Sequence, residues 1–172
     1  MGHWEANGAS DEWYTPKYIF DALGCRFALD VASPPRQTNV PCSGRLTSGS
    51  LDADWHGFVW MNPPFGGRNG LTPWLEKFVQ HGNGIALVPD RTSARWFQYI
   101  ASHADCILFL SPKVKFERPD GTLGKSPSTG TALIAIGDLG TSALATGAFN
   151  GLGFLTVPSI SRIPDIQIKG AA

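Results

Sequence analysis

Apolar residues in this chain fall into short blocks whose spacing alternates between two periods. Ile19 and Leu23, after Thr15-Pro16 and before Gly24, suit a helix over 16–23 with Thr15 as cap and proline at its first position. Phe27-Ala28-Leu29-Asp30-Val31-Ala32 is a continuous run, as expected of a buried strand carrying a carboxylate near one end. Residues 33–57 turn to Pro, Ser, Thr, Asn, Asp and Gly without periodicity and read as a long loop, an uncommon feature in compact domains that is usually functional. Phe58-Val59-Trp60-Met61 is a second strand. Trp74, Leu75, Phe78 and Val79 then recur at helical spacing after Thr72-Pro73, and His81-Gly82-Asn83-Gly84 ends that helix.

Residues 85–89 read as a third strand, 92–102 as a helix facing inward through Trp96, Phe97 and Ile100, and 106–110 as a fourth strand. Residues 113–116 and 131–136 suggest further strands, separated by the turn Arg118-Pro119-Asp120-Gly121. This alternation predicts an α/β fold, a mostly parallel sheet with helices on its faces. Residues 1–12 are small and polar and read as a flexible lead-in, 13–140 as the main domain, and 141–172 as an extension of undetermined structure packed on it.

Composition narrows the class. A chain of 172 residues fits one domain, and with 42% hydrophobic and 16% charged residues it is neither disordered nor membrane-spanning. Its first residues lack the basic start and apolar run of a secretion signal, so cytoplasmic residence is expected. Three scattered cysteines and four scattered histidines match no metal-ligand spacing, and no metal is expected. The formal charge is zero, so any nucleic-acid contact needs a local basic patch. One lies at 113–125, where Lys113, Lys115, Arg118 and Lys125 outnumber Glu117 and Asp120. Arg68, Arg91 and Arg95 are further candidates for phosphate contact.

The most informative feature is Asn62-Pro63-Pro64-Phe65, directly after the second strand. Two prolines stiffen the backbone and remove two amide donors, leaving free carbonyls beside the Asn side chain. Such a loop suits the orientation of an amino group. The Asn62 side-chain oxygen and the Pro63 carbonyl would accept both hydrogens of an exocyclic amine, whose lone pair then faces a methyl donor. Phe65 offers a flat face for an extruded base, or is simply core. Asp30 and Asn62 both sit near strand ends, where ligands bind in open α/β sheets.

The tetrapeptide resembles the (Asn/Asp)-Pro-Pro-(Tyr/Phe) signature of S-adenosylmethionine-dependent methyltransferases acting on amino nitrogens. The likeness extends to Trp13-Tyr14-Thr15-Pro16-Lys17, to Phe27-Ala28-Leu29-Asp30-Val31-Ala32-Ser33-Pro34 and to residues 55–61 ahead of the signature. It continues through Leu87-Val88-Pro89-Asp90-Arg91-Thr92 with Arg95-Trp96-Phe97, and Lys113-Val114-Lys115-Phe116. In this order the blocks resemble the small phage-type DNA N6-adenine methyltransferases, the Dam-like family, over about residues 13–136.

The resemblance implies an abbreviated Rossmann-like methyltransferase fold, S-adenosylmethionine as cofactor and DNA as substrate. It implies Asn62, Pro63, Pro64 and Phe65 as the catalytic loop. Thr15 and Pro16 would lie near the cofactor's methionine end, and Asp30 and the adjacent Ala32 turn would engage the methionine portion. The usual Gly-x-Gly turn is replaced by Ala32-Ser33-Pro34-Pro35, and the acid that holds the ribose has no clear counterpart. Asp52 and Asp54 are the candidates for the cofactor's sugar or adenine. Cytosine-N4 methylation, protein-glutamine methylation and a catalytically silent nucleic-acid-binding domain are the competing readings. Asn62 favours adenine over cytosine, and the surrounding blocks do not resemble the glutamine methyltransferases.

Overall fold

The computed structural model describes residues 13–36, 38–65, 70–125 and 127–158. The lead-in 1–12, Arg68 and the last fourteen positions lie outside the described residues. Within them the chain forms α1 (Lys17–Leu23), β1 (Phe27–Asp30), β2 (Cys42–Arg45), β3 (Val59–Met61) and α2 (Thr72–His81). Then come β4 (Gly84–Pro89), α3 (Arg95–His103), β5 (Cys106–Leu110), β6 (Thr131–Ile136), α4 (Asp138–Phe149) and β7 (Gly153–Thr156).

All seven strands join one sheet in the order β2-β1-β3-β4-β6-β5-β7. Strands β2, β1, β3 and β4 are mutually parallel, whereas β6 runs antiparallel to both β4 and β5, and β7 antiparallel to β5. The expected mostly parallel sheet is therefore corrected to a mixed one. Its physical cause is the connection between β5 and β6. A parallel return requires a crossover, usually a helix, but the described residues of 111–130 contain none, so β6 enters from the edge at which β5 ends and runs the other way.

Alternation along the strands splits the core into two layers. Trp60, Ile85, Leu87, Leu108 and Leu133 pack with Ile19, Phe20 and Leu23 of α1 and Ala143 and Leu144 of α4. Val59, Met61, Ala86, Val88 and Ile134 pack with Leu75 and Phe78 of α2 and Phe97 and Ile100 of α3 on the other face. Helices thus cover both faces of a sheet whose central strands are apolar throughout, as a doubly covered sheet requires.

Four local readings change. Helix α1 begins one residue later than the cap pattern suggests: Pro16 is the N-cap and Thr15 makes no capping bond, its side chain being turned to another use. Helix α3 begins at Arg95 because Ala94 is extended after a tight turn closed by its amide on the Arg91 carbonyl. The long loop contains β2, paired with β1 from Phe27–Cys42 to Asp30–Arg45. Residues 113–116 form no strand, and the pairing in that region is limited to single bridges of Glu117 with Tyr14 and with Leu123.

Residues 141–158, which carry no readable periodicity, complete α4 and supply β7. Glycine makes the close approach of α4 possible. A Cβ on Gly140 would lie 2.8 Å from the Gly84 carbonyl oxygen, and one on Gly147 would lie 3.0 Å from both Leu23 and Leu152 side chains. Among the described residues no helix is long and apolar enough to cross a membrane.

Candidate active site

From β1 the chain crosses to β2 on one side and later to β3 on the other, so the strand order reverses between β1 and β3. A crevice opens outside the carboxyl ends of strands at such a switch point. Asp30 is the last residue of β1, and Asn62 follows the last residue of β3. The fold therefore brings the two together at one edge of the sheet.

Asp30 is only 2% exposed. Burial pushes its carboxyl up to about 6, against the opposing effects of the Ala32 amide, the Ser33 hydroxyl and the Arg45 guanidinium. The Ala32 amide donates to Asp30 Oδ1 at 3.2 Å, so the carboxylate organises the turn that replaces the glycine-rich one. Beside that turn lies a pocket of about 420 Å3, lined by Ala32 and Ser33 after β1, by Leu46, Thr47, Ser48, Gly49, Ser50, Leu51 and Asp52 after β2, by Pro64 after β3 and by Trp74 of α2.

The wall formed by 46–55 is held from several sides. Amides of Asp52 and Ala53 donate to the Gly49 carbonyl at 3.0 Å each, and the Trp55 indole donates to the Ser50 carbonyl at 2.8 Å. Lys77 of α2 donates to the Leu51 and Ala53 carbonyls at 2.9 and 2.6 Å, and its ammonium lies 5.1 Å from the centre of the Trp55 ring. Trp55 in turn stacks near Trp74, 6.4 Å between centres. Asp52 thus lines the pocket on a fixed turn, whereas exposed Asp54 is not among the lining residues.

The Asn62 loop forms the boundary between this pocket and the α1 side. Pro63 is buried, Pro64 turns to the pocket, and Phe65 is 43% exposed, enough to present a ring face. Asn62 is half-buried, and its amide nitrogen donates to Thr15 Oγ1 at 3.4 Å. This leaves its side-chain oxygen, an acceptor, with no partner among the described residues; Asn62 and Asp30 flank the pocket through Pro64 and Ala32 without lining it themselves. Thr15 and Pro16 are buried against this loop without lining the pocket itself.

The basic residues gather on the same edge. Because β3, β4 and β5 all end there and β6 begins there, residues 90–94 and 111–130 emerge beside Asn62. Arg91, Arg95, Lys113, Lys115, Arg118 and Lys125 are all exposed. Two of them also make contacts within the protein: Lys113 donates to the Ser128 carbonyl of its own segment at 3.0 Å, and the Arg118 guanidinium lies 5.2 Å from the ring centre of Trp13, ahead of α1. Arg68 lies outside the described residues.

Sequence reasoning missed Ser48, Ser50 and Trp74 as pocket walls, and Trp55 and Lys77 as its braces. The cluster Thr47-Ser48-Gly49-Ser50 was the available signal, since small polar residues after a strand commonly surround a ligand, but the strand itself was unread. Among the described residues no group of three or more His, Cys, Asp or Glu is placed to hold a metal ion.

Comparison with curated proteins and with solved structures gives no match to this chain. The family model described as DNA N-6-adenine-methyltransferase (Dam) matches residues 5–136, a span that contains the Asp30 turn, the pocket wall, the Asn62 loop and the basic segment. The chain belongs to the DNA N-6-adenine-methyltransferase (Dam) family.

Proposed function

We propose that the protein transfers a methyl group from S-adenosylmethionine to the N6 amino group of adenine in DNA, on an abbreviated Rossmann-like fold. The observation that carries this is the Asn62 loop at the switch point, whose side-chain oxygen has no partner among the described residues and whose Pro64 lines a ligand-sized pocket. The family match supports the same reaction.

The residues present fit the cofactor. A cleft of this volume falls within the ~300–1,000 Å3 range of small-molecule sites. Asp30, a buried carboxylate under the Ala32 turn, suits a ligand with a positive charge, and the pocket combines an aromatic wall at Trp74 with an acid at Asp52 suited to ribose hydroxyls. Asp30, Ala32 and Ser33 would hold the methionine end, Asp52 the sugar, and Trp74 the adenine, with Thr15 and Pro16 closing the methionine side. Bound there, S-adenosylmethionine supplies an activated methyl on a good leaving group.

The chain's own task is to prepare the amine. The nitrogen lone pair of adenine N6 is delocalised into the ring and reacts poorly. Asn62 Oδ1 and the Pro63 carbonyl accept its two hydrogens, favour a more tetrahedral nitrogen and turn the lone pair toward the donor. Pro64 fixes the loop. Phe65 stacks on the base once it leaves the helix, and the cations at 91–95 and 113–125 hold the phosphates on either side.

The functional unit is assigned to 13–140; of the extension expected over 141–172, the described residues complete α4 and supply β7 of the same sheet, and 159–172 lie outside the described residues. We place the protein in the cytoplasm, the host's where the gene is a phage's. Incubation with methyl-labelled S-adenosylmethionine and unmethylated duplex DNA, followed by nucleoside analysis, tests the reaction. Label in N6-methyladenine is expected; label in N4-methylcytosine, or in none of the nucleosides, contradicts it.

A further inference from the structure

Among the described residues the Asn62 amide is oriented by one bond, to Thr15, and that bond is only as good as the placement of Thr15. Thr15 is 4% exposed and lies just outside α1, so no helix ladder fixes it. Two distant residues do so instead. Asn39, in the loop before β2, donates one amide hydrogen to the Thr15 carbonyl at 3.1 Å and another to Glu117 Oε2 at 2.8 Å. Glu117 also brackets the preceding residue: its amide donates to the Tyr14 carbonyl at 2.9 Å, and its carbonyl accepts from the Tyr14 amide at 2.8 Å.

Asn39 is itself anchored. Val40 donates to Thr38 Oγ1 at 3.3 Å, and Phe27 of β1 donates to the Pro41 carbonyl at 2.9 Å, so the loop is tied to the strand that carries Asp30. Glu117 sits in the basic segment between Lys115 and Arg118. A continuous set of bonds therefore runs from the cationic segment through Glu117 and Asn39 to Thr15 and then to Asn62.

We propose that Asn39 and Glu117 are positioning residues that hold Thr15 so that Asn62 presents its side-chain oxygen, rather than its amide nitrogen, to the methyl-accepting amine. The proposal rests on the methyltransferase reading above. Glu117 is the carboxylate of the segment that bonds to a distant loop. It faces Asn39 rather than a phosphate, which explains an acid amid a cluster of cations. Asp120, the other acid, is spent on its own turn, accepting from the Thr122 amide and hydroxyl at 2.9 and 2.6 Å.

The geometry makes a separation between chemistry and binding. Neither Asn39 nor Glu117 lines the pocket, so their loss changes the presentation of the Asn62 oxygen and not the pocket walls. Single-turnover methyl transfer with labelled S-adenosylmethionine and duplex DNA, alongside separate equilibrium binding of each, reads this directly. In Asn39→Ala, and in Glu117→Ala as a second variant that keeps the backbone bridge, the transfer rate should fall about 10-fold to 100-fold, the usual consequence of a reacting group misplaced by about an ångström. Dissociation constants for cofactor and DNA should change by less than about threefold. Glu117→Gln keeps an oxygen acceptor for Asn39 and should restore the rate to within about threefold of the unmodified protein.

An unchanged rate in Asn39→Ala, a loss confined to binding, or failure of Glu117→Gln to restore the rate overturns the positioning role while leaving the methyltransferase reading intact. Absence of labelled N6-methyladenine from the unmodified protein overturns both.

Discussion

The two halves of the sheet differ in kind. In the parallel half, β2, β1, β3 and β4 end at one edge, and each of the first three ends in residues of the candidate site. In the antiparallel half, β6 and β5 carry apolar residues almost without interruption, with buried Ala132, Leu133, Ile134, Leu108 and Leu110, and half-exposed β7 forms the edge. The loops at the carboxyl ends of the parallel strands make a crevice; the antiparallel addition closes the core and delivers the basic segment to the rim. Chemistry and stability should accordingly separate when each half is perturbed.

The largest separation is expected in the antiparallel half. Leu133 of β6 is fully buried, and Leu133→Ala should lower unfolding free energy by about 2–5 kcal/mol, the range for truncating a core leucine. Denaturant titration checks this, and cofactor affinity measured well below the melting transition should be unchanged. A comparable loss of affinity would mean that the halves are not separable.

The parallel half should respond to pH through Asp30. Its folded carboxyl titrates near 6 against a reference of 3.8, so the folded state binds the extra proton between those values. Stability of the ligand-free protein from this group is then highest below about pH 4 and falls as pH rises through 6, by on the order of 3 kcal/mol in full. A positively charged ligand needs the ionised form. Cofactor affinity should weaken by up to about tenfold per unit as pH drops below 6, and calorimetric titration of Asp30→Asn should show this dependence lost.

Smaller effects come from the pocket rim and the basic segment. Asp52→Ala should weaken cofactor binding about tenfold, the scale of a lost hydrogen bond to a carboxylate, while Asp54→Ala, outside the pocket, should leave it unchanged. Equal losses from both would place the sugar elsewhere. Lys115→Ala should weaken DNA binding only a few-fold and lower the salt-dependence slope by about one, with no change in cofactor affinity.

What was legible follows the same division. Runs such as 58–61 and 85–89 announce buried central strands because every position is apolar, and Asn62-Pro63-Pro64-Phe65 announces its loop because an amide side chain and two stiffening prolines directly follow such a strand. Strand β2 escaped because Cys42-Ser43-Gly44-Arg45 is a half-exposed edge with no apolar alternation; only its pairing with β1 defines it. The direction of β6 is absent from its composition, since a strand buried on both faces reads alike in either sense. Helix α4 escaped because its glycines, poor helix formers, are there for close packing. Within the site, Asp30 and Asn62 were visible as strand-end polar residues, whereas Asn39 and Glu117 meet across 78 positions that no local pattern connects.

The central claim is that Asn62 prepares the amine and does not merely shape the pocket. Asn62→Ala, assayed in one preparation for equilibrium S-adenosylmethionine binding and for labelled N6-methyladenine in duplex DNA, tests it most directly. The account predicts cofactor binding within about threefold of the unmodified protein and methyl transfer reduced at least about 100-fold. Methyl transfer at the unmodified rate would contradict it.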